Sequence, residues 1–238
     1  MEGIKFFHGD REVYGKLEEP PQEFWDKVND GTHLMFQTKV DDKTLTIRLP
    51  FGTWDIMDAL VPKILKYVPG DIVEIGMGES TTVFADHAYQ AGVRLYSCDI
   101  QMGGMFEVFD KEIFLNHICY IGRSEDFMQE YNGYASIVFI DAEHNYEMIK
   151  KEVDFFLPRL LPGGVMFLHD TMPRYERQIK PDKHGWSPGD VYRMRQELEC
   201  NPKYDVFTWP YSAQDMGLTM VMNHGTDRSY WQENGRCL

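Results

Sequence analysis

The stretch "VEIGMGEST", residues 73–81, decides how the rest of the chain is read. An apolar run ends in two glycines one residue apart, and small hydroxyl residues follow at once. That order is the sequence form of a strand handing over to a helix across a tight turn. Gly76 and Gly78 lack a Cβ, so the backbone there can take positive φ or approach another group closely. Upstream, "DIVEIG" supplies a short apolar strand. Downstream, "STTVFADHAYQAG" sets Phe84, Ala88 and Ala91 on one helical face, with Ser80 as N-cap and Gly92 just past the end.

Outward from this point the same alternation continues. "VRLYSCDI" reads as a second strand and "HICYIG" as a third, with an unassigned stretch containing "GGMFEVFDKEIF" between them. "ASIVFIDAE" is a fourth strand. The helix after it carries Ile149, Val153, Phe156, Leu157 and Leu160 at core-facing spacing, and Pro162-Gly163-Gly164 ends it. "VMFLHD" is the fifth strand. Strands apolar along their whole length, joined by helices, predict a parallel, doubly wound α/β sheet of Rossmann-like form. A helix near "DVYRMRQELE" and two late strands, "YDVFTW" and "GLTMVMN", predict an antiparallel pair at the sheet edge.

Before residue 71 the pattern differs. Residues 1–30 are polar and proline-containing and read as an extension with little regular structure. Alternation of Leu34, Phe36 and Val40, then of Leu45, Ile47 and Leu49, around "DDK" predicts a β-hairpin. Met57, Leu60, Val61, Ile64, Leu65 and Val68 follow helical spacing up to Pro69-Gly70. The expected division is an extension with a hairpin over residues 1–52 and a Rossmann-like domain over 53–238.

Bulk composition narrows the function classes. A net charge of −14 argues against non-specific nucleic-acid binding, which needs a basic footprint. No apolar run is long enough for a signal peptide or a membrane helix, so a cytoplasmic protein without a membrane partner is expected. Cys98, Cys119, Cys200 and Cys237 show no metal spacing and read as reduced thiols.

In an open parallel sheet, ligands bind beyond the carboxyl ends of the strands, where a helix begins. Glu79 stands where a diphosphate would want neutral or cationic surface, and Thr81 occupies the place of a third glycine. Asp99, at the end of the second strand and about 20 residues beyond Gly78, is placed to bind ribose hydroxyls. Glu74 is a carboxylate inside an apolar strand and needs a partner, which a ligand amino group would supply. The set suits a nucleoside carrying a charged amino acid better than a pyrophosphate.

With these residues in view, the chain resembles class I S-adenosylmethionine-dependent methyltransferases. It is most similar to the subgroup with "DG-x-H-x-Y" after the fourth strand and "HDT" after the fifth. Here those read "FIDAEHNYE" (139–147) and "PGGVMFLHDT" (162–171), and the resemblance covers residues 71–171. It implies that Glu74, Gly76, Gly78 and Ser80 surround the methionine moiety of S-adenosylmethionine, that Asp99 holds the ribose, and that Ser124 and Glu125 lie near the adenine. Two positions depart from the pattern: Gly122-Arg123-Ser124 replaces Gly-Asp-Ser, and Ala142 replaces a glycine.

Asp141 and Asp170 close neighbouring strands in this topology, about 5 Å apart by strand spacing. Two such carboxylates repel unless a cation or proton lies between them, and a hard divalent ion such as magnesium satisfies both. His144 and His169 stand beside them as metal ligand or general base. Arg174, Arg177, Lys180, Lys183 and His184 form a basic cluster suited to an anionic small-molecule acceptor, to which Trp54 and Trp186 could add an aromatic wall. The expected function is O-methylation of a small molecule, with the acceptor's identity and any homo-oligomer left open. Two other readings compete. One is an NAD-type oxidoreductase or epimerase using the Tyr146/Lys150 spacing, and the other a non-catalytic nucleoside-binding partner protein.

Overall fold

The computed structural model describes residues 53–101, 115–173, 176–181, 187–209 and 216–222, together with four N-terminal strands. The chain divides into two compact units, Met1–Gly52 and Thr53–Leu238.

In the first unit, β1 (Lys5–His8) pairs antiparallel with β2 (Arg11–Tyr14), and β3 (Met35–Val40) pairs antiparallel with β4 (Lys43–Arg48). The second pair is the hairpin expected from its alternation. The first pair corrects the reading of residues 1–30 as having little regular structure. Its strands, KFFH and REVY, are rich in aromatic and β-branched residues and flank Gly9-Asp10, a dipeptide that favours tight turns.

In the second unit, α1 (Thr53–Tyr67) precedes β5 (Asp71–Ile75), α2 (Glu79–Ala91) and β6 (Leu95–Asp99). Then come β7 (His117–Ile121), α3 (Ser124–Glu130), β8 (Ala135–Ile140) and α4 (Tyr146–Phe156). The unit closes with β9 (Leu160–His169), α5 (Tyr192–Glu199), β10 (Asp205–Trp209) and β11 (Leu218–Met222). The sheet order is β10-β11-β9-β8-β5-β6-β7. Strands β5 to β9 run parallel, and β10 and β11 add the expected antiparallel edge. This is the mostly parallel, Rossmann-like sheet that the strand and helix alternation predicts.

Why the central strands read as unbroken apolar runs follows from their two buried faces. Along β8, Ile137 and Phe139 enter the core under α1 and α2, while Val138 and Ile140 enter the core under α4 and α5. Strand β9 repeats this, with Val165 and Phe167 on one face and Met166 and Leu168 on the other.

Three local expectations change. Helix α2 begins at Glu79, so Gly78 is its N-cap and Ser80 lies inside it. On its buried face Ala85 joins Phe84 and Ala88, whereas Ala91 is exposed. Helix α4 stops at Phe156, and Leu157–Arg159 forms a 3-10 turn. Leu160 and Pro162-Gly163-Gly164 then belong to β9 instead of ending a helix. Ala135 pairs with Leu160 but Ile137 with Val165, so residues 161–164 form an irregular excursion at the strand's start. A Cβ on Gly164 would lie 3.0 Å from the Ser136 carbonyl oxygen, which makes that crossing too close for a side chain.

The chain leaves β5 toward β6 and β7 on one side and returns with β8 on the other. The sheet's switch point therefore lies between β5 and β8, where a ligand crevice is expected.

Candidate active site

At that switch point the glycine turn and the acids meet. The Asp141 N–H donates to the Ile75 carbonyl at 2.8 Å, carrying the pairing of β8 and β5 to its last residue. Gly76 follows with φ +91, and a Cβ there would sit 2.0 Å from the Asp141 carbonyl oxygen. Gly76 is a glycine because β8 passes against it. Gly78 differs: its φ of −166 is ordinary extended backbone, and no atom of the described residues lies within 4 Å of where its Cβ would be. A side chain would fit the fold there and would fill the space above the turn.

Glu74 is fully buried, and its partners are hydroxyls of the protein. Ser80 Oγ and Thr81 Oγ1 donate to Oε1 at 2.6 and 3.1 Å, and Ser97 Oγ donates to Oε2 at 2.5 Å. The ligand amino group expected as its partner is not needed to satisfy it. Burial pushes the Glu74 carboxyl up to about 7, against the opposing pull of the three hydroxyls. His117 Nε2 lies 2.8 Å from Ser97 Oγ, which already donates to Glu74, so the ring nitrogen is the donor. Burial holds His117 down at about 4, consistent with a neutral ring.

Asp99 ends β6 half-buried beside the turn. Its Oδ2 accepts the Met77 N–H at 2.8 Å and its Oδ1 the Gln101 N–H at 3.1 Å, so the carboxylate is held in place with lone pairs to spare. Ser124 and Glu125 open α3 just beyond β7. Ser124 Oγ donates to Glu152 Oε1 at 2.6 Å, and Lys151 pairs with Glu125 at 2.7 Å. The space over Gly78, the fixed Asp99 and the start of α2 fit a nucleoside carrying an amino acid.

The acid cluster lies at the ends of β8 and β9. Ile140 pairs with Leu168, so Asp141 and His169 leave the sheet side by side, with Asp170 one residue on. Asp141 Oδ1 lies 3.1 Å from His144 Nε2 and 3.2 Å from His169 Nδ1. Asp170 Oδ2 lies 3.6 Å from His144 Nε2. Ligand atoms of Asp141, His144 and Asp170 all fall within 4.8 Å of one another. Two carboxylates and one imidazole converging so closely fit a divalent cation. Asp170 is 2% exposed and takes φ +55, the one non-glycine with positive φ among the described residues. Backbone strain of this kind gathers at functional sites.

The two acids are tuned apart. Burial would raise Asp141, but His169 and His144 outweigh it and hold its carboxyl below the usual range. Burial, followed by the Asp141 charge, raises Asp170 despite His169. For His144 the Asp141 and Asp170 charges overcome burial and raise its affinity for a proton.

Other expected residues take quieter places. Tyr146 and Lys150 both bond to Glu197 of α5 on an exposed face, away from the glycine turn, which leaves their spacing with a packing role. Lys180 pairs with Glu176 at 2.9 Å. The side chains of Arg174, Arg177, Lys183, His184, Trp54 and Trp186, and the stretch 103–114, lie outside the described residues, as does Cys237. Three features escape the sequence reading: Ser97 and Thr81 on Glu74, Glu152 behind Ser124, and the turn at residues 187–190. Ser97 alone left a local sign, as a hydroxyl within an otherwise buried strand.

Residues 73–171 match a protein family described as a methyltransferase domain. Among solved structures, the chain is similar to the O-methyltransferase TomG from Streptomyces achromogenes, involved in tomaymycin synthesis and solved with SAM. The TM-score is 0.55 at 17% identity, covering 74% of this chain and 81% of that one. It is also similar to an O-methyltransferase from Bacillus cereus in complex with SAH, at TM-score 0.53, 16% identity, and 86% and 92% coverage. Cofactor-bound Rv0187 from MTB aligns at TM-score 0.57, 16% identity, and 88% and 99% coverage. At such identities the likeness is one of fold. None of the curated proteins matches the sequence. Fold and matched span point to one class: residues 73–171 are similar to the methyltransferase-domain family, and the sheet that carries them is Rossmann-like.

Proposed function

We propose that the protein is an S-adenosylmethionine-dependent O-methyltransferase of a small molecule, assisted by a divalent cation. One observation carries this reading: Gly76 of the donor turn abuts the Asp141 carbonyl, so the donor site and the acid cluster share a wall. The subgroup motifs "FIDAEHNYE" and "HDT" support it, because Asp141 and His144 of the first and His169 and Asp170 of the second converge. So does the likeness in fold to TomG and the Bacillus cereus protein, O-methyltransferases solved with SAM and SAH.

In this reading the space over Gly78 and the start of α2, with Glu74 and Ser80 beneath, receives the methionine end of the donor. Asp99 holds the ribose, and Ser124 and Glu125 border the adenine. Bound there, S-adenosylmethionine supplies an electrophilic methyl on a sulfonium. Asp141, Asp170 and His144 would hold a cation such as magnesium, whose charge lowers the pKa of an acceptor hydroxyl. His169 would take the proton that the acceptor oxygen gives up on receiving the methyl group. Positioning carries most of the rate, because displacement at a sulfonium methyl needs no covalent help from the protein.

Calorimetry tests the donor half. S-adenosylhomocysteine should bind, Asp99→Ala should weaken it by about tenfold, equal to ~1.4 kcal/mol, and reduced nicotinamide cofactor should give no heat. Silence with both S-adenosylhomocysteine and S-adenosylmethionine would reject the reading. A chelator tests the cation half: turnover that survives it removes the metal and leaves the transfer.

A further inference from the structure

The family match ends at residue 171, yet the chain comes back to the acid cluster later. Residues 187–190, Ser-Pro-Gly-Asp, lie against the turn between β8 and α4 and touch it at three points. The Ser187 carbonyl oxygen is 2.9 Å from His144 Nδ1. A carbonyl only accepts, so that nitrogen carries a proton; Nε2, 3.1 Å from the Asp141 carboxylate, carries the second proton of the charged ring and offers its lone pair toward the acids once that proton is lost. Gly189 takes φ +55 and presses on the His144 backbone, where a Cβ would sit 1.7 Å from the carbonyl oxygen. Asp190 Oδ1 accepts the N–H of Tyr146, the first residue of α4, at 2.6 Å.

The turn is itself braced. Ser187 Oγ accepts the Gly189 N–H at 2.9 Å and donates to the Ile179 carbonyl at 2.8 Å. Pro188 is buried, and Arg193 pairs with Asp190 at 2.8 Å. Nothing in two carboxylates selects which imidazole nitrogen faces them. The Ser187 carbonyl does select, and it leaves Nε2 on the side of Asp141 and Asp170.

We propose that the turn at residues 187–190 is a positioning device for His144, locking the ring so that Nε2, not Nδ1, is presented to Asp141 and Asp170. Its value for methyl transfer rests on the function proposed above; the ring lock itself does not. Groups that orient a ligating or proton-accepting imidazole through its other nitrogen fix both its tautomer and its direction.

The test is the long-range proton–nitrogen spectrum of protein labelled with ¹⁵N-histidine, recorded on the alkaline side of the His144 titration. The His144 signals are assigned by their loss in His144→Gln. In the unaltered protein one tautomer, protonated at Nδ1, should dominate. In Gly189→Ala the signals should move to a mixture of tautomers, and in Asp190→Ala, which adds no bulk, they should move partway. Asp190→Asn keeps an oxygen that can accept from Tyr146 and should restore them. Circular dichroism of each variant separates ring release from loss of fold, and Asp190→Ala decides the matter if Gly189→Ala does not fold. A His144 protonated at Nε2 in the unaltered protein, or signals unmoved in folded Asp190→Ala, overturns the proposal. Calorimetry with S-adenosylhomocysteine on the same samples keeps the two readings apart. No binding by the unaltered protein would end the methyltransferase reading and leave the ring result standing.

Discussion

Glycine positions one residue apart, Gly76 and Gly78, differ in why they are glycine. Gly76 combines positive φ with the Asp141 carbonyl against it, so Gly76→Ala should destabilise the fold by more than about 3 kcal/mol. Gly78→Ala meets open space in extended backbone and loses only glycine's advantage over alanine at the N-cap of α2, so stability should fall by no more than about 1 kcal/mol. Its methyl group would instead occupy the proposed donor space, and S-adenosylhomocysteine affinity should fall by about tenfold. Urea titration and calorimetry on both variants separate the two roles; a Gly78→Ala as destabilised as Gly76→Ala would refute the assignment. Glu152 makes a second residue-level case. It is fully buried, Ser124 satisfies Oε1, and Oε2 has no hydrogen-bond partner among the described residues. Burial pushes its carboxyl up from 4.5 to about 7. Below pH 4.5 both folded and unfolded chains carry the proton, and the group imposes no penalty. Between 4.5 and 7 only the unfolded chain ionises, so stability falls as pH rises, by about 3 kcal/mol in total. Glu152→Gln removes this loss, so its advantage over the unaltered protein should grow from pH 5 to pH 8. Parallel stability curves for the two proteins would contradict it.

At the level of elements, the turn between β8 and α4 does two jobs. It carries His144 to the acids and it starts α4, whose N-cap Asn145 accepts the Met148 N–H at 2.9 Å. Asn145→Ala should lower stability by about 1 kcal/mol, and Asn145→Asp should hold it, as read from urea midpoints at unchanged slope. A loss well above that would mean the turn, not the cap alone, had moved. Strands β5, β8 and β9 were legible because each is apolar on both faces. The start of β9 was not. Pro162-Gly163-Gly164 has the composition of a helix stop, but it serves a close crossing between two strands, which no local pattern encodes.

For the whole molecule, the division at residue 52 leads to a further expectation: we propose that residues 53–238 fold without residues 1–52. The fragment should unfold in one cooperative transition and bind S-adenosylhomocysteine within about threefold of the full chain. Aggregation of the fragment, or loss of binding, would count against the division. The alternation of strand and helix, the parallel sheet with its antiparallel edge, and the glycine turn at the first strand's end could all be read from the chain itself. Each is written in patterns of a few residues, where hydrophobic period and turn chemistry act locally. The partners of the buried and reacting groups could not. Ser97 reaches Glu74 across 23 residues, Ser124 reaches Glu152 across 28, and Ser187 reaches His144 across 43. Sequence alone determined the alternating strands and helices around the glycine turn and where acids and histidines stand along them. Only the packed fold decided which of those groups face each other and in which ionisation state, because strand register and burial are properties of elements brought together, not of any one segment.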